Sequence, residues 1–167
     1  MMQKFLIKGG KKVSGEINVS GAKNAALPIM VAAILGDSPS IIKNVPVLRD
    51  TEFMLTILEN LGAKVNFDKE KNEVKIDPRS IDNLEAPYEL VRKMRASIYV
   101  LGPLVSKYGK AKVSLPGGCN WGPRPIDLHL KGMEMLGAEY DLEHGYISMN
   151  AEKLVGKEIY LDRKSVV

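Results

Sequence analysis

The sequence predicts an α/β protein assembled from a repeated helix–strand–helix–hairpin unit with a strand leading into it. Three observations point there. The stretch Leu58-Glu-Asn-Leu-Gly-Ala-Lys-Val65 returns in diverged form as Met133-Glu-Met-Leu-Gly-Ala-Glu-Tyr140, 75 positions later. Each copy closes a helical pattern and precedes two short alternating runs, about 64–68 with 73–77 and about 138–142 with 146–149, which read as β-hairpins. Each copy also follows an apolar helix and a strand.

Taken in chain order, Gly15-Glu-Ile-Asn-Val-Ser20 reads as a lead-in strand. The first apolar helix runs from about Ala25 to Leu35, with Pro28 near its start, and the strand Ser40–Val45 follows. In the next helix Phe53, Met54, Ile57, Leu58 and Leu61 share one face, and Gly62 supplies a C-terminal stop. Asp50 is predicted to cap that helix, and Asp127 its counterpart in the second unit. The second unit's first helix spans about Met94 to Lys107 and should kink at Pro103, followed by a strand over Lys112–Leu115. Lys157-Glu-Ile-Tyr-Leu-Asp162 repeats the lead-in strand, and Arg163-Lys-Ser-Val-Val167 would open a third first helix. Units of this kind bury their apolar faces against one another and commonly need three or more copies, so the pattern predicts an incomplete array.

Bulk composition sets the class. Hydrophobic residues make up 45% and charged residues 26%, as in globular domains, and no apolar run reaches the roughly 18 residues of a membrane span. The start, Met-Met-Gln-Lys-Phe-Leu-Ile-Lys-Gly, lacks the apolar core of a signal peptide. A single cysteine cannot form an internal disulfide and fits a reducing, cytoplasmic setting. The net charge of +4 is mild and unclustered, which favours anionic small molecules over nucleic acid.

The chemistry-bearing residues fall at repeat-equivalent places. The first helices begin at Lys23-Asn24, at Arg95 and, if continued, at Arg163-Lys164. Helix N-termini favour anions, and cations beside several of them would make a phosphate site. Taken singly, each is as readily a solvated surface charge. The one cysteine sits in Leu115-Pro-Gly-Gly-Cys119-Asn-Trp-Gly-Pro-Arg124-Pro125, a Gly/Pro-rich loop rather than a helix or strand.

Ser20-Gly-Ala-Lys-Asn-Ala-Ala-Leu-Pro28, Met94-Arg-Ala-Ser97 with Leu101-Gly-Pro-Leu104, and the cysteine loop with Arg124-Pro-Ile-Asp-Leu-His129 together resemble the UDP-N-acetylglucosamine enolpyruvyl transferase family, along essentially the whole chain. The resemblance implies an inverse α/β barrel of the EPSP-synthase type, made of βαβαββ units. About two repeats of one domain would be present, near 23–78 and 79–156, with a third begun at 157. Residues 1–22 would be a strand segment belonging with the second domain, and 23–167 an incomplete first domain.

The activity implied is transfer of the enolpyruvyl group of phosphoenolpyruvate to the sugar 3-hydroxyl with release of phosphate, the committing step of peptidoglycan synthesis. No cofactor is implied, and no metal. Cys119 matches the family's loop cysteine, a general acid able to form an adduct with phosphoenolpyruvate and the residue fosfomycin alkylates; cations at Arg124 and Lys23 would favour its thiolate. Lys23 and Asn24 match the pair contacting substrate phosphate and sugar hydroxyl. Arg95 matches a basic contact in the UDP-sugar site, and Arg124 a phosphate contact. Pro125, Ile126, Asp127 and Leu128 match the stretch lining the base, and Arg163, Lys164, Ser165 and Val166 a further nucleotide segment. There the chain departs from the family, with Lys164 in place of an apolar residue and Val167 in place of glycine. Trp121 either covers the site or packs the loop hinge. Three readings stay open: an inactive fragment, half of a split enzyme completed by a separate C-terminal chain, or a nucleotide-sugar binding domain without catalysis.

Overall fold

A computed structural model describes residues 4–10, 12–92, 94–115 and 126–160. The first unit comprises α1 (Lys23–Ala32), continued by a 3-10 turn at Ala33–Leu35, then β1 (Ser40–Ile42), α2 (Arg49–Asn60), β2 (Lys64–Asp68) and β3 (Glu73–Asp77). A 3-10 turn at Pro78–Ser80 leads to β4 (Glu85–Ala86) and α3 (Tyr88–Val91). A 3-10 segment at Arg95–Val100 runs into α4 (Leu101–Tyr108), followed by β5 (Lys110–Ser114), α5 (Asp127–Met135), β6 (Glu139–Glu143) and β7 (Tyr146–Asn150).

Two sheets result. The first has the order β1-β3-β2 and is antiparallel throughout; the second has the order β4-β5-β7-β6, with β4 parallel to β5. Both predicted hairpins form, pairing Phe67 with Val74 in one and Leu142 with Ile147 in the other. The second hairpin turns through His144 (φ 51°) and Gly145 (φ 80°), the two left-handed residues that match strand twist in a two-residue turn. A single core joins the units: Met30 and Ile34, Met54, Ile57, Leu58 and Leu61, Ile76, Leu104, Ile147 and Met149 are all fully buried.

The repeated Leu-Gly-Ala has a local cause. Ala63 N–H donates to Leu58 O (3.0 Å) and Gly62 N–H to Glu59 O (2.9 Å); Ala138 donates to Met133 O (3.0 Å) and Gly137 to Glu134 O (2.9 Å). This is the double bond of a Schellman stop, with glycine at φ 102° and φ 105° where a side chain would be strained.

Several expectations are corrected. Neither Asp50 nor Asp127 is an N-cap: Leu48 caps α2 and Ile126 caps α5, leaving Asp50 second and Asp127 first within their helices. The capping bond of α2 comes instead from Thr51, fully buried, whose Oγ1 accepts the Leu48 N–H (3.1 Å) and lies 2.8 Å from Pro46 O. The helix expected to kink at Pro103 changes character earlier, passing from 3-10 to α at Leu101. Pro103 then falls third in α4, within the first turn after that change, where proline is better tolerated than in a helix interior. Neither the lead-in run 15–20 nor the described part of 157–162, residues 157–160, is a strand; 161–162 lie outside the described residues. Ile17 and Val19 remain 86% and 84% exposed, paired with no strand among the described residues. The strand that leads into the second unit is the two-residue β4, too short to show any alternation.

Candidate active site

The first turns of α1 and α2, the 3-10 segment at Arg95 and the start of α5 converge on a cavity of about 470 Å³. Each arrives by a separate route. Ahead of α1, Gly21 N–H donates to Asn44 Oδ1 (3.0 Å), and a Cβ on Gly21 would lie 1.9 Å from Asn44 O, so only glycine passes there. Ala22 then accepts N–H bonds from Ala25 (3.1 Å) and Ala26 (2.9 Å), starting the helix with Lys23 and Asn24 at its exposed tip. No side chain caps that first turn. Buried Met94 is the N-cap of the 3-10 segment and places Arg95 at its beginning.

Lys23, Asn24, Arg95 and Ile126, all singled out from the sequence, line this one cavity. Asp50 and His129 line it as well. Asp50 accepts a hydrogen bond from Lys23 Nζ at 2.6 Å, with the two side chains 39% and 45% exposed. His129 stacks on Tyr99, ring centroids 6.4 Å apart at 29°, and the pair forms the partition to a second, apolar cavity of about 420 Å³ between α1, α4 and α5. Leu128 faces that apolar cavity, whereas Asp127 borders a third hollow with Leu115 and Lys131. The stretch expected to line one base therefore spreads over three surfaces. Cys119, Arg124, Pro125, Arg163, Lys164, Ser165 and Val166 lie outside the described residues, as does Trp121.

Chemically, the cavity offers two cations, an amide, one carboxylate and an aromatic wall. It can hold an anionic group between Lys23 and Arg95 with a flat or sugar face against Tyr99 and His129. No group of three or more His, Cys, Asp or Glu side chains able to hold a metal occurs among the described residues. In sequence, Asp50 carries only the signal of an acid in a first helical turn; the packing of α2 against α1 is what brings it to Lys23.

A family model described as EPSP synthase (3-phosphoshikimate 1-carboxyvinyltransferase) matches residues 7–167. Proteins named UDP-N-acetylglucosamine 1-carboxyvinyltransferase from Desulfatibacillum aliphaticivorans and Halothermothrix orenii are 54% and 56% identical over 165 residues, 99% of this chain and 39% of each relative. The chain thus spans about 39% of the length of these curated relatives. Among solved structures, the enolpyruvyl transferase NikO from Streptomyces tendae superposes with a TM-score of 0.73 at 28% identity, over 88% of this chain and 32% of that one. An EPSP synthase from Acinetobacter baumannii shares the fold at a TM-score of 0.61 and 17% identity, over 87% of this chain and 34% of the other.

Proposed function

Because the chain belongs to the EPSP synthase (3-phosphoshikimate 1-carboxyvinyltransferase) family, we propose that it carries one wall of an enolpyruvyl transferase site for phosphoenolpyruvate and UDP-N-acetylglucosamine. The observation that carries this reading is the convergence of Lys23, Asn24, Arg95 and Ile126, drawn from three distant stretches, on one cavity. Relatives above half identity bearing the UDP-N-acetylglucosamine name favour that sugar nucleotide over a shikimate acceptor.

In this reading the Cys119 thiol gives its proton to the methylene carbon of phosphoenolpyruvate while the sugar 3-hydroxyl oxygen bonds to C2 and releases its own proton to a base. The tetrahedral ketal then loses phosphate, and a proton from the new methyl group, to leave the enolpyruvyl ether. Lys23 and Arg124 would hold the phosphate as its charge grows, Asn24 would fix the acceptor hydroxyl, and Arg95 would bind the diphosphate. Ile126, Asp127 and Leu128, with Pro125 and the 163–166 segment, would take the nucleotide. The opposite wall belongs to sequence beyond the 39% covered, whether in the same polypeptide or in a complementing C-terminal chain. Residues 1–22 would pair with that other part, and 23–167 would form this one. The step would open peptidoglycan synthesis, in the cytoplasm, and so bear on cell-wall growth, cell shape and division.

The test is a titration of the 167-residue protein with UDP-N-acetylglucosamine, followed by amide NMR, with phosphate release measured alone and after adding a C-terminal piece from a relative. Shifts at Lys23, Asn24, Arg95 and Ile126 and turnover only in the mixture are expected. Unperturbed amides at those four positions would refute the assignment of the cavity.

A further inference from the structure

We infer that Asp50 is a positioning residue for Lys23: in the empty cavity its carboxylate holds the ammonium against the wall, and an entering phosphoryl group takes the ammonium from it. This rests on the reading of the cavity as an anion site. Asp50 is the one carboxylate lining the cavity among the described residues, an odd occupant for a site that accepts anions, since a fixed negative charge repels them. Its geometry resolves the oddity. The carboxylate is not aimed into open space but bonded to Lys23 Nζ at 2.6 Å, and both partners retain solvent access.

The two ends of this pair are held independently. Asp50 sits in the first turn of α2, where free N–H groups favour a carboxylate, and Lys23 opens α1, the helix packed directly on α2. The other acid of that turn, Glu52, is engaged elsewhere by Lys69. Arg95, across the cavity, pairs with no carboxylate among the described residues. The cavity therefore presents one cation ready and one engaged. An anion meets Arg95 first and competes with Asp50 for Lys23, so a weakly charged ligand leaves the pair closed. A half-exposed pair of this kind is worth about a two- to fivefold change in affinity.

The experiment is a double-mutant cycle on the 167-residue protein with inorganic phosphate and phosphoenolpyruvate as probes. Asp50→Asn should tighten binding about two- to fivefold, Asp50→Glu should return it toward the parent value, and Asp50→Asn added to Lys23→Gln should change little. Equal tightening with and without Lys23 would mean bulk repulsion and overturn the inference; so would weakening by Asp50→Asn. Where Lys23→Gln no longer binds, acylation read by mass spectrometry decides: Lys23 should label faster in Asp50→Asn relative to Lys64 and Lys75, and an unchanged ratio overturns the pair. Phosphate binding without coupling removes this role alone, whereas binding by no variant removes the anion site and the proposed function with it.

Discussion

Replacing Gly21 by alanine should cost little stability and a great deal of binding. The new Cβ would lie 1.9 Å from the carbonyl oxygen of Asn44, where ordinary contact begins at 3.4 Å. Asn44 cannot yield easily: it is itself left-handed (φ 56°), and the next residue, Val45, is tied by its N–H to Asn72 O at 2.8 Å. The backbone at 20–22 must retreat by about 1.5 Å, losing the Gly21–Asn44 bond, a net loss of about 1 kcal/mol. Little else is lost, because the chain before it is exposed. The retreat passes directly to Ala22, whose carbonyl starts α1, and so to Lys23 and Asn24. Misplacement by an ångström can cost about a hundredfold at a site that depends on orientation; for binding alone, about tenfold is expected. Urea unfolding and a phosphate or UDP-N-acetylglucosamine titration of the same samples check both halves. A variant that binds within twofold of the parent would show that Gly21 does not set the position of α1, and a stability loss above about 3 kcal/mol would show that the segment is not peripheral.

Three further outcomes are expected. Gly62→Ala should destabilise by about 2–4 kcal/mol and Gly137→Ala by about 1–2, because both are left-handed but a Cβ meets Ser80 O at 2.6 Å in the first and only Lys153 O at 3.3 Å in the second; equal unfolding midpoints in urea would contradict this. Asp77, held at about 2 by the Arg79 guanidinium and backbone N–H, and Asp68, held low by Lys71, contribute stability that is present above the ordinary carboxylate value of 3.8 and lost as pH falls through the folded-state values. The parent's margin over an Asp68→Asn/Asp77→Asn variant should therefore shrink between pH 5 and about pH 2, and a constant margin across that window counts against the assignment. Fosfomycin should add covalently to Cys119 in the complemented enzyme and not to Cys119→Asp, as read by intact mass; turnover by the complemented enzyme with no adduct would remove the thiol from the mechanism.

What could be read from the sequence was whatever is settled within a few residues. The two hairpins form where alternation placed them, because alternate residues such as Val74 and Ile76, or Ile147 and Met149, go to the core. The Leu-Gly-Ala repeat is legible because a Schellman stop is closed by six consecutive residues. Illegible features depend on neighbours remote in sequence. Asp50 is drawn from the capping role by the Lys23 ammonium, 27 positions earlier, and the cap falls to Thr51, whose hydroxyl is held by the carbonyls of Pro46 and Leu48. The lead-in runs have the right alternation but pair with no strand among the described residues, so pattern alone overpredicts strand there, as it underpredicts β4.

The same distinction governs the site. Lys23, Asn24 and Arg95 are conspicuous because each stands at the start of a helical element, in surroundings that resemble a transferase family. A carboxylate in the next helix had an adequate local explanation and so attracted no second one. Yet how strongly Lys23 serves a ligand depends on that carboxylate, since the bond at 2.6 Å already commits one of the ammonium's three donors and offsets its charge. The affinity of such a site follows from the difference between two pairings, not from the number of cations lining it. A sequence supplies the cations. Only the packing of α1 on α2 supplies what they are bonded to when the cavity is empty.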